Sequence, residues 1–242
     1  MKKQSFILHF LLFFAIFFYC FMPPILSQTS SEANIFPEYS IVPVLLAFLW
    51  SSVGIFAVYT QNHGNSTFST TGIKHFFVFS SIKFQIKFRK CVKQYKSSLL
   101  TFFLIFASGF IISFFETPND FTIPQKTIFE WIVFFLITCV FACTEEILYR
   151  YYLPKTFKYF SIGIFHNKNI AARKFFIAVG EILSILLFAL AHRYLGIFAV
   201  FHAFISGALL RWNIKKTDTV VSVCLIHCFY NCLIFALYIF FN

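Results

Sequence analysis

The chain has 242 residues, 59% of them hydrophobic and 22% aromatic, with 40 Phe and only 12% charged residues. That composition excludes an ordinary soluble domain, and several runs reach the about 20 apolar residues that cross a bilayer. The formal charge of +11 does not indicate a nucleic-acid partner. The basic residues lie in short segments between apolar runs, where they set orientation and attract anionic headgroups.

These runs do not alternate polar and apolar residues, as the strands of a membrane barrel do. The expected fold class is therefore all-α: a polytopic membrane helical bundle of about seven transmembrane helices, or six if the first is a cleaved signal peptide. Residues 5–26 form the first run, behind Lys2 and Lys3. Ser31-Glu32-Ala33 resembles a signal cleavage site, but the run exceeds the usual length of a signal h-region and is read as a retained span, kinked or ended by Pro23-Pro24. A second span is expected at 41–60. Residues 61–97 form a basic loop with Lys74, Lys83, Lys87, Arg89, Lys90, Lys93 and Lys96, whose Ile73–Val92 stretch is either an interfacial amphipathic segment or a solvated loop.

The third span is expected at 98–115. The fourth begins near Thr127, with Glu130 and Trp131 as a boundary anchor, and runs through TCVFACTEEILYRYYLP at 138–154. A basic stretch follows at 155–174, with a turn around Gly163. Three more spans are expected at 175–192, 195–211 and 219–241. With the N-terminus inside, every Lys and Arg except Lys126 and Arg193 falls on the inner side, which places the N-terminus and basic loops in the cytoplasm of a bacterial-type inner or plasma membrane. There is no internal repeat. The chain is divided into peripheral N-terminal spans and a basic loop at 1–97, and a catalytic membrane core at 98–242.

Glu145, Glu146 and Arg150 are the unexpected residues, since ionisable groups within a span cost several kcal/mol and mark functional sites. Residues four apart share a helix face, so Glu146 pairs with Arg150. Glu145 is left unneutralised on another face, a setting that suits a general base. The alternative is that both acids close helix packing or reach the interface. The fifth span supplies Phe188 and His192, and the seventh supplies His227 and Asn231. The latter two are donors on one face, either for an oxyanion or as polar contacts between helices. A carboxylate base, a histidine and a donor pair are what attack of water on an amide carbonyl requires.

With these residues the sequence resembles the CAAX protease and bacteriocin-processing (CPBP, Abi) family of intramembrane glutamate proteases. Glu145, Glu146 and Arg150 match its first motif, Phe188 and His192 its second, and His227 and Asn231 its third. The resemblance covers roughly residues 100–242. It implies an integral-membrane endopeptidase, similar to CAAX prenyl protease 2, with catalytic residues Glu145, Glu146, His192, His227 and Asn231. Glu145 would activate water with help from His192, Arg150 would form a structural ion pair with Glu146, and His227 with Asn231 would form the oxyanion hole. No cofactor and no metal are implied. The implied partners are a membrane-associated peptide or protein substrate and the lipid bilayer.

Two positions depart from the family pattern. Tyr151 stands where the family usually has Gly, which crowds the helix, and Arg211 stands four after Gly207 where a small residue is usual. Glu181 is a pocket or interface residue, and His202 is read as a packing residue. Cys224, Cys228 and Cys232 form a stripe that packs or, with His227, ligates a metal. The sequence contains no HExxH. The rival readings are a non-catalytic adaptor or immunity-type protein with the same fold, which Tyr151 would suit, and a transporter, which would show repeated halves or broken helices.

Overall fold

The computed structural model describes residues 3–26, 41–63, 88–115, 125–165 and 169–241. Among these residues the secondary structure is helical throughout: α1 (Lys3–Ile16), α2 (Met22–Leu26), α3 (Ile41–His63), α4 (Phe88–Ser113), α5 (Ile128–Glu145), α6 (Leu153–Phe165), α7 (Ile170–Ala191), α8 (Ile197–Thr217) and α9 (Val220–Phe241). Seven stretches of the described residues are long and apolar enough to cross a membrane: Phe6–Leu26, Ile41–Gln61, Gln94–Ser113, Ile128–Phe165, Ile170–Ala191, Ile197–Thr217 and Val220–Phe241. The protein is an all-α integral-membrane bundle. Its main neighbours are α4 with α8, α6 with α7, α7 with α8, and α5 with α9.

Some boundaries differ from the sequence expectation. The helix of the third span, α4, is already formed at Phe88 rather than beginning near residue 98. Of the Ile73–Val92 stretch, residues 73–87 lie outside the described residues. The turn expected around Gly163 is absent, because α6 continues to Phe165. A helical Gly costs about 1 kcal/mol against Ala, but α6 buries Leu153 and Phe160, each worth about 1.5–3 kcal/mol.

Two π-helical turns, Phe17–Phe21 and Glu146–Tyr152, each precede proline: Pro23-Pro24 in one case and Pro154 in the other. Proline lacks the N–H that its i−4 carbonyl needs, and a π turn shifts the pairing to i−5. Met22 N–H accordingly donates to Phe17 O, and Leu153 N–H to Leu148 O. The helix therefore does not end at Pro23-Pro24 but runs on through α2. The π turns meet through Phe21 and Tyr149, whose ring centroids lie 4.8 Å apart.

Around Pro154 the shift leaves two carbonyls for other helices to satisfy. Ser184 Oγ on α7 donates to Tyr149 O. Arg211 Nη1 on α8 donates to Arg150 O at 2.9 Å. In lipid no water can take those bonds, so neighbouring side chains must. Ser184→Ala should therefore destabilise the protein by about 1–3 kcal/mol, the cost of an unsatisfied buried acceptor, read as a lower unfolding midpoint in detergent.

The main core joins the two halves of the chain. Ile16 and Phe21 share a cluster with Val58, Tyr149, Tyr152, Leu153 and Phe188. Between α6 and α7 the packing is so close that a Cβ on Gly180 would overlap the Phe157 side chain. Gly180→Ala should cost about 1–3 kcal/mol by overpacking, measured by denaturant unfolding.

The link between α7 and α8 is a single 3₁₀ turn, Arg193–Leu195, followed by Gly196 at φ 103°. That angle favours glycine. The short link makes α7 and α8 an antiparallel hairpin and puts His192 at the α7 C-cap.

Candidate active site

The six residues picked out in the sequence lie on three elements: the α5/π-turn junction (Glu145, Glu146, Arg150), the end of α7 (His192) and α9 (His227, Asn231). Glu146 and Arg150 lie one helical turn apart, both with fully buried side chains, with Arg150 Nε 3.5 Å from Glu146 Oε2. The Arg150 guanidinium carbon stacks 3.7 Å from the centroid of Phe188, a cation–π contact that a desolvated site strengthens. Gly207 leaves the room: a Cβ there would lie 3.2 Å from Arg150 Nη2 and 3.4 Å from Phe188 Cδ1.

His227 sits between the two carboxylates. Its Nδ1 donates to Glu146 Oε1 at 2.9 Å, and its Nε2 lies 3.8 Å from Glu145 Oε2. The acids differ sharply in environment: the Glu146 side chain is 0% exposed and the Glu145 side chain 36%. One acid is locked by an ion pair and a hydrogen bond, while the other is partly exposed.

His192 makes no direct ion pair with Glu145. Neither of its ring nitrogens comes within 4.0 Å of that carboxylate, and its Nδ1 donates to Phe188 O at 2.8 Å. As the α7 C-cap, His192 turns its ring back along its own helix, so the histidine next to Glu145 is His227. Both histidines still meet at Phe188, with ring centroids 4.6 Å (His192) and 5.9 Å (His227) from it. Phe188, His192, His202, Ser206, His227 and Asn231 line a cavity of about 170 Å³, ample for water. Glu145 is not on its wall and joins it through His227.

Among the described residues no three His, Cys, Asp or Glu side chains converge as metal ligands, so Cys224, Cys228 and Cys232 with His227 form no such cluster.

Residues 124–233 match the model described as "Rce1-like: Type II CAAX prenyl endopeptidase Rce1-like". That stretch is similar to this family. A 97-residue stretch is 37% identical to an uncharacterized protein of Treponema pallidum (strain Nichols), covering 40% of this chain and 46% of that protein. The chain thus spans about half the length of this curated relative. No solved structure matches it.

All seven motif residues lie inside the matched region. The two departures from the family pattern are accommodated there. Tyr151 packs half-buried on the main core, with Lys155 Nζ 5.9 Å from its ring centroid. Arg211 pairs with Glu181, which also binds Lys215 Nζ at 3.3 Å. Glu181 is thus an ion-pair partner between α7 and α8. His202 Nε2 lies 3.3 Å from each of Ile105 O, Ser206 Oγ and Tyr230 Oη.

Three residues of the Rce1-like region escaped the sequence reading in part or whole. Phe188 was read only as a motif letter, yet its ring is the surface on which Arg150, His192 and His227 meet. Ser184 carried a signal, because a small polar residue one turn before Phe188 shares its face. Thr127 forms a capping box with Glu130, its N–H donating to Glu130 Oε2 at 2.6 Å. The Thr-x-x-Glu spacing was visible in the sequence, where Glu130 was read as a boundary anchor.

Proposed function

We propose that the protein is an integral-membrane endopeptidase that hydrolyses a peptide bond with glutamate-activated water. The carrying observation is His227 held between a buried, paired Glu146 and a partly exposed Glu145, on the wall it shares with His192 and Asn231. In this reading Glu145 takes the proton from the attacking water and passes it to the leaving amine. Glu146 fixes the His227 ring through its Nδ1–H, as a buried carboxylate orients a catalytic imidazole.

With a second proton, His227 has Nε2–H left to donate. That donor and the Asn231 amide stabilise the oxyanion. Two carboxylates then face two cations, Arg150 and His227, so the desolvated group carries no net charge. His192 has Nδ1–H committed to Phe188 O, so in the neutral ring its Nε2 accepts a hydrogen bond from water.

The substrate of this reading is a membrane-associated peptide or protein, and the family description points to prenylated C-terminal segments. The catalytic core is assigned to residues 98–242, with the N-terminus and basic loops in the cytoplasm of a bacterial-type membrane. The test is cleavage of a membrane-peptide library by the reconstituted protein, with and without chelator. Cleavage should survive chelation and disappear in Glu145→Gln and Asn231→Ala. Equal activity in wild type and both variants would remove the mechanism.

A further inference from the structure

Four thiols outside the proposed chemistry pair across the interface of α5 and α9. Cys143 Sγ lies 3.6 Å from Cys228 Sγ, and Cys139 Sγ lies 3.7 Å from Cys232 Sγ. A step of four residues up α5 is matched by a step of four down α9, the register of antiparallel helices whose facing residues repeat each turn. The same alignment continues in both directions. Phe134 meets Phe235 at 5.0 Å between ring centroids, and at the other end Glu146 meets His227. The thiols are free, and all four are half-buried.

A single thiol fills a helix interface as a small apolar residue, but here two successive layers each place thiol against thiol. An S–S bond is about 2.05 Å long, so each pair must close by about 1.6 Å. That closure requires the two thiols to rotate about χ1 toward each other.

We propose that Cys143–Cys228 and Cys139–Cys232 are two dithiol sites that a membrane-soluble quinone converts to disulfides, linking α5 to α9. In each pair two S–H bonds break and one S–S bond forms. The two electrons and two protons pass to the quinone, which leaves as hydroquinone. The bridges tie the helix carrying Glu145 and Glu146 to the helix carrying His227 and Asn231.

The test uses wild-type protein in vesicles of neutral phospholipid, treated with a benzoquinone, alkylated to trap remaining thiols, and mapped by peptide mass spectrometry. Both intrachain bridges are expected, with Cys20 and Cys224 still alkylated. A maleimide-type adduct of the quinone on the four thiols, alkylation of them to the same extent as Cys20, or a Cys143–Cys224 bridge would overturn the proposal. Cys143→Ser should leave Cys228 alkylated and the Cys139–Cys232 bridge intact. Loss of that second bridge in the variant would overturn the assignment of two independent sites. The readout is covalent and does not depend on peptidase activity.

Discussion

Glu145→Gln should abolish peptide cleavage while leaving the bundle folded. The amide keeps the size of the side chain but cannot take a proton from water, and loss of a general base lowers rate by about 10²–10⁴-fold. The fold should tolerate the change because Glu145 is 36% exposed and its ion-pair partner among the described residues, His227 Nε2, stands 3.8 Å away. The check is a pair of measurements on one preparation, namely cleavage rate and thermal unfolding midpoint. A large fall in the midpoint would mean that Glu145 is structural and would withdraw its assignment as the base.

Glu146→Ala should do the reverse and unfold the protein. Arg150 is 1% exposed, its Nε lies 3.5 Å from Glu146 Oε2, and the same carboxylate accepts from His227 at 2.9 Å. Removing one partner of a buried pair strands the other charge at a cost of about 3–5 kcal/mol. That is a large part of a typical stability of about 5–15 kcal/mol. The expected result is poor expression or a collapsed unfolding midpoint. Replacing both partners with apolar residues, Glu146→Met with Arg150→Leu, should recover much of the stability without recovering cleavage, since buried pairs often replace well with hydrophobic residues. Failure of the double variant to gain on the single one would show that Glu146 stabilises mainly through His227.

These adjacent glutamates show how far the sequence could be read. Spacing alone put Glu146 with Arg150 and left Glu145 apart, because periodicity fixes which residues share a face within one helix. The same logic put Phe188 and His192 on one stripe of α7. It did not show that His227 contacts both acids. Nor did it show that His192 turns back to Phe188 O, because ring orientation at a helix C-cap depends on the turn that follows.

The turn expected at Gly163 failed for a related reason. Glycine is a local signal, and the burial that overrode it comes from α7 and the first helical stretch. Arg211 was read as an intrusion into a close helix contact. It is instead the donor that satisfies the carbonyl of Arg150, which Pro154 cannot serve.

The sequence by itself determined that this is a helical membrane protein, because hydropathy over about 20 residues is a property of each segment alone. It also determined which polar residues are out of place in lipid, and, within one helix, which of them share a face. Only the tertiary structure decided which polar group meets which across helices. Those pairings depend on helix register and rotation, which are set jointly by contacts such as Phe21 on Tyr149 and Arg150 on Phe188, and no single segment encodes them.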